Sequence, residues 1–93
     1  MKTRNEIIND LEDRLFILKF TRFEEVDIDK NLGCIAAINS CIEKHKKGWT
    51  LGQFKEHLEK EKKVNMYGDY VDGFILILEK NVRDMERGGI GSK

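Results

Sequence analysis

No proline stands anywhere in this chain of 93 residues. Proline is the residue that most reliably ends a helix, because its ring fixes φ and removes an N–H that the helix interior needs. Without it, and with Leu, Glu, Lys and Ile recurring throughout, glycine is the only strong punctuation left, and an all-α fold is predicted. A chain this short has barely enough interior for one core. The expectation is therefore a small compact bundle of about five to six helices in a single domain over residues 1–87. The stretch ending the chain, "RGGIGSK", predicts a disordered tail at residues 88–93.

Charge and cysteine usage exclude several classes. The 17 Lys+Arg cancel the 17 Asp+Glu, so no net field would hold the chain on a phosphate backbone or an anionic bilayer. Met1 to Phe20 carries charges throughout and lacks the apolar core of a leader, and the longest apolar runs fall far short of the ~20 residues of a membrane span. A cytoplasmic protein of a bacterium or its phage is expected. If Cys34 and Cys41 share a helix, they sit about 10 Å apart along its axis, beyond the roughly 7 Å limit for bridging, so both are read as reduced thiols.

From about Lys2 to Phe20, Ile7, Ile8, Leu11, Leu15 and Leu18 gather on one side of a helix as a core stripe. Phe16 and Phe20 project from the opposite side, with Ile17 between the two faces, and Asn9 and Asp13 continue that back surface toward the N-terminus. The segment Phe23 to Lys30 reads as one helical turn or an extended link. From about Asn31 to Lys46, Cys34, Ile35, Ile38, Cys41 and Ile42 face inward, while Ala36 and Ala37 are small enough for a neighbouring helix to approach closely. Gly48 follows as a left-handed cap.

In "WTLGQF", Thr50 and Gln53 form a capping box, and Trp49 and Phe54 stand at the two positions of a hydrophobic staple. A helix is predicted from Leu51 to about Lys62. The stretch "YVDGFILIL" admits two readings. Asp72-Gly73 flanked by aromatic and β-branched residues signals a hairpin, yet Tyr67, Tyr70, Val71, Phe74, Ile77, Leu78, Val82 and Met85 fit one helical face, and the helix is preferred. No internal repeat is apparent.

Candidate chemistry is sparse. Cys34, Cys41 and His45 would point the same way on one helix, with His57 as a fourth tetrahedral ligand. The spacing matches no zinc signature, so two buried core thiols and two solvated histidines are the expected reading, with no metal and no cofactor. Neither histidine has a nucleophile motif around it, so no catalytic residue is assigned. The helices meeting at "KHKKGWTLGQFKEHLEKEKK" form a helix-turn-helix-like pair in which Lys44, Lys46, Lys47 and Lys55 would touch phosphates, but the candidate recognition helix alternates Lys with Glu, which would repel them. A helix-turn-helix DNA-binding regulator and a non-catalytic interaction module stay open as alternatives. The second face of the first helix exposes more contiguous apolar area than a small monomer usually tolerates. Another helix of the bundle covers it, or it is an interface.

Four stretches also resemble a known family. "ILKFTR" at Ile17 to Arg22 is similar to the end of the first helix in the AsiA anti-sigma factors of T-even-type phages, where an apolar pair is followed by Lys-Phe, a small hydroxyl residue and Arg. "IAAIN" at Ile35 to Asn39, "LGQFK" at Leu51 to Lys55 and "YVDGF" at Tyr70 to Phe74 follow in the same order. The resemblance implies an all-helical protein that pairs through its first helix when free. It implies exchange of that homodimer partner for the C-terminal region of the host's primary sigma factor in RNA polymerase, remodelled so that it no longer reads the −35 element. With a phage activator, the same complex is redirected to phage promoters. Carried over by position, the partner-binding set is Phe16, Ile17, Lys19, Phe20 and Asn39, extended along the same face by Asn9 and Asp13. Asp13 departs from the family, which is apolar there, and the last dozen residues depart as well. No direct DNA contact and no membrane contact would be expected.

Overall fold

The computed structural model describes residues 3–20, 28–64 and 68–89, and these form four helices: α1 (Arg4–Phe20), α2 (Ile28–Lys46), α3 (Leu51–Val64) and α4 (Asp69–Gly88). The all-α expectation holds, with four helices among the described residues instead of five to six. Of the short segment expected at Phe23 to Lys30, residues 23–27 lie outside the described residues. The last three belong to α2, which starts at Ile28 instead of Asn31. Asp72 and Gly73 lie inside α4, so the helix reading of that stretch is correct and the hairpin alternative is not. Tyr67 lies outside the described residues.

Local chemistry explains where the helices begin and end. Thr50 and Gln53 make the reciprocal pair expected of them: the Gln53 amide donates to Thr50 Oγ1 at 3.2 Å, and the Thr50 amide to Gln53 Oε1 at 2.8 Å. The Trp49 and Phe54 rings meet at 5.3 Å, completing the staple. α1 has a comparable start that the sequence reading missed, because Thr3 Oγ1 accepts from the Glu6 amide at 3.2 Å. α4 ends on Gly89 in the left-handed region (φ 64°, ψ 23°), whose amide points back to the carbonyls of Glu86 and Met85. Gly88 is therefore helical and not the first residue of a tail, and residues 90–93 lie outside the described set.

The central contact joins α2 to α4, with α1 packed on α2 and α3 on α4. Glycine is required where the central pair meets. A Cβ on Gly33 would stand 1.9 Å from the Tyr70 carbonyl oxygen, and one on Gly73 would stand 2.0 Å from the Lys30 carbonyl oxygen. The contact is reciprocal, since each glycine faces the carbonyl one turn before the other. Burial then follows the same spacing in both helices: Gly33, Ala37, Ile38, Cys41, Ile42 and His45 in α2 correspond to Gly73, Ile77, Leu78, Asn81, Val82 and Met85 in α4. A repeat invisible in residue identity is present in burial. Ile7 and Leu11 of α1 and Phe54 and Leu58 of α3 complete the core. The helix-turn-helix-like pair exists only as a connection, because the turn at Lys47–Gly48 delivers α3 onto α4 and not along α2.

Two substitutions test this account. Gly73→Ala gains about 1 kcal/mol of helix propensity but forces the α2 and α4 backbones apart, so a net loss of about 2 kcal/mol or more is expected in urea unfolding. An unchanged or raised midpoint would show that the helices do not cross here. Thr50→Ala should cost ~1 kcal/mol by orphaning a first-turn amide, and an unchanged midpoint would mean that α3 does not depend on this cap.

Candidate interaction surface

The core stripe of α1 is buried unevenly. Ile7 and Leu11 are sealed, whereas Ile8, Leu15 and Leu18 are only half-buried against the core. The C-terminal half of α1 therefore rests on the bundle by one edge and presents the rest to solvent. Phe16, Ile17 and Phe20 are 65 %, 61 % and 74 % exposed. The bundle leaves this face largely uncovered, so no other described helix packs over the second greasy side. The Phe16 and Phe20 rings lean on each other with centroids 4.7 Å apart, which hides part of their area from water but leaves a continuous apolar ridge.

The other residues assigned to this surface surround the ridge. Asn9, Asp13 and Lys19 are exposed on α1. Asp13 and Ile17 also line a groove of about 450 Å³ between α1 and α4, with Asp10, Arg14, Lys80 and Asp84 on its walls and Ile7, Leu11, Leu18 and Asn81 at its apolar and polar base. Asn39 is exposed as well, but on α2, and no described contact joins it to the α1 set. The structure thus gathers six of the seven residues on one helix.

The competing sites are engaged elsewhere. The Cys34 thiol donates to the Gly73 carbonyl at 3.4 Å, and burial raises its pKa against the lowering influence of Lys30 and Arg14. Burial pushes Cys41 up to about 12. Both sulfurs are protonated core groups. Lys44 bonds Ser40 Oγ and lies 5.1 Å over the Trp49 ring. Lys46, Lys47 and Lys55 pair with Glu12, Glu43 and Glu86 at 4.0, 3.0 and 3.3 Å. All four lysines proposed for phosphates have partners within the chain. Among the described residues no helix is long and apolar enough to cross a membrane.

His45 requires a correction, because it is 2 % exposed and not solvated. Its Nδ1 stands 3.2 Å from Arg4 Nη1, and its Nε2 2.6 Å from Asn81 Oδ1. Arginine can only donate, so Nδ1 accepts, and the proton on Nε2 is donated to Asn81. Arg4 also reaches the Trp49 carbonyl at 2.9 Å. This network ties the start of α1 to α2, α4 and the turn before α3. Nothing in the local sequence marks it. His57, expected in water, is half-buried instead, edge-on to Trp49 and Phe74 with its Nε2 enclosed.

Burial holds the His45 pKa below the ordinary value, with Arg4 adding to the effect and the Asn81 hydrogen bond opposing it. The folded protein thus binds this proton more weakly than the unfolded chain does. Stability is then full above the unfolded-state value of about 6.5 and falls as pH drops below it. The urea midpoint should decrease from about pH 7.5 to about pH 5.5, and His45→Gln should flatten that slope. An equal slope in the variant would assign the effect to other groups, His57 first among them, since burial lowers its pKa too. In comparison with known proteins, the chain matches no family model, no curated protein and no solved structure.

Proposed function

We propose that this protein is an anti-sigma factor of the AsiA type, a non-catalytic regulator that binds and remodels the C-terminal region of a host's primary sigma factor in the cytoplasm of a phage-infected bacterium. The observation that carries the reading is the exposed Phe16–Ile17–Phe20 ridge, which stands at the positions that the resemblance assigns to partner binding. Three large exposed apolar side chains at the C-terminal end of α1, with exposed Asn9, Asp13 and Lys19 on the same helix, provide the apolar anchors and polar neighbours that an interface combines. In the free protein the same ridge pairs with that of a second copy, and sigma displaces the copy. The chain then recruits a phage activator through surfaces that the ridge leaves open.

The physical basis is burial on association. Anchors of this kind typically contribute about 2 kcal/mol or more each when truncated, and 1.4 kcal/mol is a tenfold change in affinity. A charged residue in the ridge would be desolvated without a partner. Phe20→Asp should therefore abolish both homodimer formation, read by sedimentation, and retention of sigma from a bacterial lysate, while circular dichroism stays unchanged because Phe20 is exposed and stands outside the core cluster of the described residues. A folded variant that still dimerises and retains sigma would place the interface elsewhere. Wild-type protein that retains no sigma, or that binds promoter DNA by itself, would overturn the reading.

A further inference from the structure

Among the described residues, five surface lysines have a carboxylate beside them. Lys47 pairs with Glu43, Lys60 with Glu56 and Lys80 with Asp84 along single helices, and Lys46 and Lys55 pair across helices. Three arginines stand apart from these pairs by being grouped at one place. Arg14 of α1 and Arg83 and Arg87 of α4 line one cleft of about 210 Å³. Among the described residues, no ion pair satisfies any of them. Arg83 and Arg87 stand one turn apart, a spacing at which like charges destabilise a helix. The chain has five arginines: Arg4 is used internally on His45 and Trp49, Arg22 lies outside the described residues, and the other three share this cleft.

We propose that the cleft is a second binding surface, which takes an acidic amphipathic segment of a protein partner. The planar guanidinium fork suits carboxylates, and three forks around one opening give direction as well as charge. Leu76, 49 % exposed at the cleft beside buried Ile77, supplies an apolar footing that a phosphate backbone would not use. Asp84 in the cleft and Asp10 and Asp13 in the adjoining groove disfavour an extended polyanion. With no net positive charge on the chain, nucleic acid lacks the long-range attraction on which its binding depends. The proposal does not rest on the anti-sigma reading, since neither Phe16 nor Phe20 lines the cleft.

The test is fluorescence anisotropy of a labelled Glu/Leu amphipathic helical peptide with the full chain at low ionic strength. Wild-type protein should bind it, and added salt should weaken the complex as charges within a Debye length are screened. Arg83→Glu with Arg87→Glu should weaken it about tenfold or more, while Lys62→Glu with Lys63→Glu, the same charge change on α3, should leave it unaltered. If circular dichroism shows the arginine reversal to be unfolded, Arg83→Gln with Arg87→Gln must give the loss instead. Absence of binding by wild type, or equal weakening by both charge reversals, overturns the proposal. So does tighter arginine-dependent binding of a single-stranded oligonucleotide of matched charge.

Discussion

Two helix backbones meet at Gly33 and Gly73 with no side chain between them, and the placement of the rest follows from that contact. The carbonyls of Tyr70 and Lys30 occupy the volumes that two Cβ atoms would need. This close approach brings the buried residues of α2 and α4 into register as two matching rows, and Cys34 adds a thiol hydrogen bond to the Gly73 carbonyl at the crossing itself. A glycine in a helix interior normally costs about 1 kcal/mol relative to alanine. Two such positions in a small protein are tolerable only where the proximity they permit returns more in packing. α1 and α3 are then added to a central pair whose geometry is already decided.

The second constraint is polar. Burying His45 and Asn81 would be costly for either alone, but each satisfies the other at 2.6 Å, and a satisfied buried pair disfavours any register that separates its members. Arg4 extends the network to α1 and to the Trp49 carbonyl, while the Phe54 ring packs 4.7 Å from the imidazole. All four helices thus meet at a single imidazole. α1 is held chiefly at its beginning, by the Thr3 cap, Arg4, Ile7 and Leu11.

What the sequence made legible was local or periodic. The Thr50–Gln53 box, the Trp49–Phe54 staple, the Ile7–Leu11 stripe and the placement of Phe16 and Phe20 on the side opposite that stripe all depend on spacings within a turn or two of helix. What escaped depends on contacts between distant segments. Gly33 was passed over in favour of Ala36 and Ala37 as the point of close approach, because nothing near it announces the Tyr70 carbonyl. Gly73 sent a misleading local signal: after aspartate it suggests a turn, yet its lack of a side chain serves the crossing with α2. His45 sits among lysines and so reads as solvated, although its partners lie in α1 and α4. The three arginines share a cleft only because folding brings Arg14 beside α4, which no spacing in the sequence foretells.

The way α1 is anchored bears on what its exposed half can do. A helix pinned at one end and resting on half-buried Leu15 and Leu18 at the other keeps its ridge fixed in direction without covering it. Such a ridge lowers the margin of a small isolated domain, whose stability is a small difference between large opposing quantities. Association reverses the sign. A partner that binds only the folded chain stabilises it by mass action, by about 2.7 kcal/mol when present at a hundred times its dissociation constant. The apolar area that weakens the monomer then becomes the reason the bound protein is more stable than the free one. The linkage also runs the other way: weakening the Arg4–His45–Asn81 network loosens the helix that carries the ridge, so the population competent to bind falls with it and the apparent affinity falls in proportion.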